Sequence, residues 1–168
     1  MNFNIKIFLL CPIPEEQKPI NEYISLKENS LTNWITLTKK EYLWTLIRSF
    51  FILFLICLTF TFEGTESINQ ILETIQITSI FSLICLSILL CYVIINWKQV
   101  DNRFNTSRLI YEEGSWYTSE IWEKPISLIK NDKLISSQII QPILIRNIRF
   151  FLFFTFIILF AFTLIEIR

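Results

Sequence analysis

The chain has 168 residues, 52% of them hydrophobic, with 15 basic and 15 acidic side chains and no net charge. A mean hydropathy of +0.48 is too apolar for the surface of a small water-soluble domain, and the balanced charge offers nucleic acid no basic patch. The absence of histidine removes Ser-His and Cys-His nucleophile systems, His-ligated haem or chlorophyll, and the usual zinc and copper sites.

Met1–Leu10 is a short apolar run broken by Lys6, and no small-residue cleavage site follows it. It is expected to be neither a signal peptide nor a transit peptide, which fits a protein made in the compartment where it works. Pro12, Pro14 and Pro19 interrupt any early helix. From Ile20 to Glu41, apolar and aromatic residues recur near helical spacing. That predicts one or two short amphipathic helices with Trp34 near a membrane interface. Residues 1–41 thus read as a polar, amphipathic N-terminal segment.

Residues 49–62, 74–97 and 150–165 contain no Asp, Glu, Lys or Arg. With their flanks they reach the roughly 20 residues that cross a hydrocarbon core of about 30 Å. Residues 42–97 hold the first two spans, 42–62 and 75–97, around an acidic link with Glu63, Glu66 and Glu73. Arg48 lies just inside the first span and can snorkel to the headgroups. Residues 98–147 form a polar connection, and 148–168 hold the third span, with Arg146 and Arg149 at its entry. Pro142 reads as a helix start, where its missing N–H is harmless.

Lys and Arg crowd the N-terminal segment and the long connection and are absent from the acidic link. The positive-inside rule puts both polar regions on the synthesis side and the link and C-terminus on the other. Trp44 and Trp97 then fall at one interface, as an aromatic belt. Within the connection, Arg108–Glu113, Gly114-Ser115 and Trp116–Trp122 predict a β-hairpin with Gly114 first in a type II′ turn. That register puts Leu109, Tyr111, Trp116 and Trp122 on one face. Pro125 ends the second strand, and Ile126–Ile140 predicts a short helix leading into the third span. The fold class is therefore mainly α: a three-span helical membrane protein with a small α+β synthesis-side module containing a hairpin.

The run Cys11-Pro-Ile-Pro-Glu-Glu-Gln-Lys-Pro-Ile-Asn-Glu-Tyr23 resembles the hypothetical chloroplast reading frame thirty-six family, also called conserved in the green lineage and diatoms. The likeness continues through Tyr111-Glu-Glu-Gly-Ser-Trp-Tyr117, Trp122-Glu-Lys-Pro125, Asp132-Lys-Leu-Ile135 and Gln141-Pro-Ile-Leu144, so it covers most of the chain in order. The resemblance implies a photosynthetic membrane and an accessory role there, and brings no catalytic residues. An abundance of Ile, Phe, Asn and Lys, with Ala161 the lone alanine, points independently to an AT-rich genome such as an organelle's.

Candidate chemistry is sparse. Cys11 precedes a proline, and such a thiolate can meet haem iron or sense redox state; the plainer account is packing at the membrane surface. Cys57, Cys85 and Cys91 read as small apolar residues within the spans. Thr78, Ser82 and Cys85 lie on one stripe that would let another helix approach. Glu112, Glu120, Glu123 and Asp132 could offer hard oxygen ligands, but no ligand-loop spacing is present, and ion-paired surface is the plainer account. No catalytic residue, metal ligand or cofactor is assigned. The reading favours a non-enzymatic accessory or assembly factor in the thylakoid or envelope, N-terminus stromal, whose Tyr111, Trp116, Tyr117 and Trp122 grip a larger membrane complex. The alternative is a redox- or metal-handling protein using Cys11 and the hairpin carboxylates.

Overall fold

A computed structural model describes residues 13–61, 68–112 and 119–166. In chain order these form α1 (Pro19–Glu28), α2 (Ser30–Asn33), α3 (Lys39–Thr61), α4 (Ile68–Asn105), β1 (Arg108–Glu112), β2 (Ser119–Glu123), α5 (Ile126–Ile135) and α6 (Gln141–Glu166). A π-helical turn, Ser136–Ile140, joins α5 to α6. Among the described residues three helices are long and apolar enough to cross a membrane, and the sheet is one antiparallel pair. The expected fold class is the one observed.

Local chemistry sets the helix starts. Pro19 occupies the first turn of α1, where its missing donor costs nothing. Asn29 caps α2 by accepting from the Leu31 N–H at 3.0 Å. Glu41 Oε2 accepts from both the Thr38 hydroxyl (2.8 Å) and the Thr38 N–H (3.2 Å). This is half of a capping box, and it starts α3 at Lys39, before the charge-free run begins.

Helix α4 has 38 residues, about 57 Å at 1.5 Å per residue and nearly twice the bilayer core. One stripe runs along it: Thr78, Ser82, Leu86, Leu90, Val93, Trp97, Val100 and Phe104 are all buried. Their spacing of three or four keeps them on one face. Ile35, Tyr42 and Leu46 cover that stripe from one side, Ile140 and Leu144 from the other. Trp97 is therefore not a belt residue. It is fully buried, edge-on to Tyr23 at 5.7 Å between ring centroids, because position 97 falls on the inward stripe. Trp44 is 71% exposed, as a lipid-facing belt residue is.

Pro142 lies in the first turn of α6, as expected, but no break in the helical path precedes it. Ile126–Thr163 runs as a single strut, with Pro142 just past the π turn. Proline lacks the N–H that would bond the Gln138 carbonyl, and its ring crowds that oxygen. The wider turn before it, closed by the Gln141 N–H on the Ser136 carbonyl, takes up the mismatch.

The hairpin register also differs from expectation. A two-residue turn beginning at Gly114 would set Leu109 opposite Glu120; the ladder instead pairs Leu109 with Trp122, Ile110 with Ile121 and Tyr111 with Glu120. The turn itself lies outside the described residues. Leu109 and Trp122 still share a face, and they pack together with Ile13. That contact with a distant segment fixes the register where a local turn signal misplaced it.

A polar latch ties the N-terminal segment to α6. The Tyr42 hydroxyl donates to Asn147 Oδ1 at 2.7 Å, and both residues are fully buried. The Arg146 guanidinium lies 4.4 Å from the Tyr42 ring centroid and donates to the Ile35 and Leu37 carbonyls. Tyr42→Phe keeps the ring but strands Asn147 Oδ1, at an expected cost of about 1–2 kcal/mol. The thermal midpoint in detergent should fall, and pairing it with Asn147→Leu should recover part of the loss. A midpoint unchanged by Tyr42→Phe would mean that the bond adds nothing.

Candidate functional site

The polar module is built on the parts of α4 and α5 that outrun the apolar spans. Beyond Trp97, α4 keeps Val100 and Phe104 buried while polar residues occupy its other faces. Asp101 Oδ1 accepts from the Ser136 hydroxyl at 2.5 Å, and Ser136 Oγ accepts from Asn105 Nδ2 at 2.9 Å. Ser136 is fully buried at the π turn, so this chain of bonds fastens the turn to α4.

Lys124 closes the module. Its side chain is 2% exposed, and Nζ donates to Asp132 Oδ2 at 2.5 Å and to the Arg103 carbonyl at 2.8 Å. Its own N–H donates to the Ser107 carbonyl at 2.9 Å, joining the end of β2 to the start of β1. Arg103 pairs with Glu22 of α1. Burial pushes the Glu22 carboxyl above its ordinary value, and the Arg103 charge offsets this only in part. Arg108 Nε meets Glu123 Oε1 at 2.9 Å across the hairpin.

Several of the residues singled out in the sequence fall outside the described segments: Cys11, Trp116 and Tyr117. Tyr111 is placed only by its backbone, opposite Glu120. Trp122 is half-buried against Leu109 and Ile13, so its side chain helps to hold the hairpin. Thr78 bonds Thr61 across α3 and α4, 2.7 Å between hydroxyl oxygens. Ser82 is fully buried and donates to the Ser79 carbonyl at 2.8 Å, while Cys85 is half-buried beside this stripe. Of the four acidic residues weighed as ligands, Glu123 and Asp132 are ion-paired. Among the described residues no three His, Cys, Asp or Glu side chains cluster closely enough to hold a metal.

Sequence reasoning passed over the outer face of the hairpin. Ile110 and Ile121 are cross-strand partners, 68% and 65% exposed. The signal was present: consecutive apolar residues at 109–110 and 121–122 make both faces of a two-stranded ribbon apolar. Lys124 was missed because its partners are distant in sequence.

Lys124→Met would leave Asp132 without its buried counter-charge, at an expected cost of about 3 kcal/mol. Lys124→Met with Asp132→Leu should cost less, because no unpaired charge remains. Protease resistance and thermal unfolding of the detergent-solubilised chain read both variants. Equal losses in the single and the double variant would mean that the two residues are not coupled.

No solved structure matches this chain. Residues 11–153 match the CGLD27-like family, described as conserved in the green lineage and diatoms 27. An uncharacterised ycf36 protein of Guillardia theta is 32% identical over 88% of this chain and 94% of its own length. The ycf36 protein of Cyanophora paradoxa is 34% identical over 81% of this chain and 86% of its own length. A chloroplastic Arabidopsis thaliana protein, conserved in the green lineage and diatoms 27, is 28% identical over 79% of this chain, which spans 41% of that longer protein. With so much of its length matched, including the hairpin, the π turn and the first half of α6, the chain belongs to the CGLD27-like family, which includes the ycf36 proteins.

Proposed function

We propose that this protein is a non-catalytic accessory or assembly factor of a photosynthetic membrane complex, and that its hairpin module docks the partner. The observation that carries the reading is the exposed Ile110–Ile121 pair on a hairpin whose inner face is already occupied by Leu109, Trp122 and Ile13. Two exposed β-branched side chains, paired across a two-stranded ribbon and held to two membrane helices, offer a rigid apolar contact. Trp116 and Tyr117, and Tyr111 on the opposite face of the ribbon from Ile110, are proposed as further contacts to the partner. The chloroplastic Arabidopsis relative and the three membrane-length helices support a plastid membrane, and the thylakoid is the proposed location.

The docking test compares Ile110→Ser/Ile121→Ser and Trp116→Ala with the unaltered chain, all tagged and expressed in a plastid-bearing host. Membrane abundance and copurifying proteins are measured together. Normal abundance with at least about tenfold less copurifying complex is expected, since an interface anchor is worth about 2 kcal/mol or more. Trp122→Ala is expected to lower abundance itself, because Trp122 packs within the module. Unchanged copurification in both docking variants would sink the proposal.

The proposed orientation has the N-terminus and module in the stroma and the C-terminus on the other side, from the Lys/Arg asymmetry. Protease protection of tags at the two ends is expected to differ. Equal protection would mean that one of the three spans does not cross.

A further inference from the structure

We infer that the cleft between the starts of α3 and α6 is a binding site for an anionic membrane lipid. The cleft encloses about 680 Å³ and is walled at its polar end by Lys39, Arg146 and Arg149, within the size range of small-molecule sites. Among the described residues no carboxylate lines it. Arg146 is held there by the Ile35 and Leu37 carbonyls and the Tyr42 ring, none of which neutralises its charge. Lys39 and Arg149 are exposed and make no ion pair among the described residues. Three positive charges thus converge on one opening without a counter-ion among the described residues. The nearby Glu41 lines a separate cleft with Trp44 and Arg48.

The other end of the cleft is apolar. Leu43, Phe150 and Phe153 are shared with a second, adjoining groove of about 460 Å³ that continues between α3 and α6 past Phe50 and Leu86. Among the described residues no charged side chain lines this continuation. Its walls come from the charge-free runs 49–62, 74–97 and 150–165 and their first flanking turns. A basic mouth opening onto an apolar channel at membrane depth is complementary to a negative headgroup joined to an acyl chain. A free anion would use the mouth alone and leave the channel unexplained. A neutral lipid would use the channel and leave three cations unpaired.

Native mass spectrometry of the full chain can test this, after equilibration with phosphatidylglycerol or phosphatidylcholine of identical acyl chains. Phosphatidylglycerol should be retained at least about tenfold more strongly. Lys39→Gln with Arg149→Gln should lower that retention about 30-fold, at about fivefold per lost charge. Leu43→Trp fills the apolar neck without changing charge and should also displace the lipid. Arg48→Gln, in the neighbouring cleft, should leave retention unchanged. Equal retention of the two lipids would overturn the inference. So would full retention in both the charge variant and Leu43→Trp, or an equal loss from Arg48→Gln, which would reveal only a diffuse surface field. Displacement of phosphatidylglycerol by inorganic phosphate at matched concentration would also overturn it, because the mouth would then take any anion.

Discussion

The buried stripe of α4 is the constraint to which the rest of the chain answers. From Thr78 to Phe104 one face of this helix is covered by protein, inside the bilayer and beyond it. Within the bilayer, α3 and α6 cover it, and hydroxyls as well as methyl groups sit at the contact: Thr78, Ser82 and the Thr61–Thr78 bond. Lipid chains are as apolar as leucine, so close approach and hydrogen bonds favour helix association there. Beyond the bilayer, Trp97, Val100 and Phe104 continue the same face, and water now drives its burial. Tyr23 and Ile35 of the N-terminal segment and Ile140 at the π turn pack on this outer part or beside it. The module is thus the aqueous continuation of the membrane bundle, and needs no separate core.

Polar groups then give that apolar assembly its geometry. Tyr42, Asn147 and Arg146 join the N-terminal segment, α3 and α6 at one level. Asp101, Ser136 and Asn105 do the same for α4 and the π turn, and Lys124 for α4, the hairpin and α5. Apolar contact tolerates sliding, whereas a buried hydrogen bond is satisfied at one setting and costs free energy at others. Three such points hold the hairpin in a fixed relation to the spans. The proposed docking surface would gain from this, since little further ordering would be needed on binding a partner.

The spans were legible because charge is so costly in hydrocarbon that its absence marks them directly. How far the helices extend was harder to read. Residues 98–105 look like a polar loop by composition, with Lys98, Asp101 and Arg103, yet Val100 and Phe104 continue the spacing of the span. Trp97 was read by its residue type, as an interfacial aromatic, when its place on the stripe decided its burial. Pro142 was read by a local rule, and the π turn that accommodates it leaves no clear mark in Ser136–Ile140. The strand pairing followed a Gly-Ser signal, while Ile13, far away in sequence, holds Leu109 and Trp122. Burial of Lys124 depends on Asp132, eight residues on, and on the Arg103 carbonyl, 21 residues back. Such pairings exist only once the chain has folded.

The π turn sets an angular phase between two parts of one strut. Each residue advances an α-helix by about 100°, and a π turn absorbs one residue more than an α turn does. The exposed face of α5 and the lipid-facing face of α6 are therefore not in line along a common axis. Ser136 and Ile140, four residues apart, both point inward, so the buried face runs through the π turn. Were the extra residue removed, the strut would close into a regular helix, and everything before it would turn by roughly a quarter of a revolution relative to the membrane. Asp132 would swing away from Lys124, and the hairpin would lose its seat while every span stayed intact. The length of this segment, as much as its chemistry, decides which way the module faces.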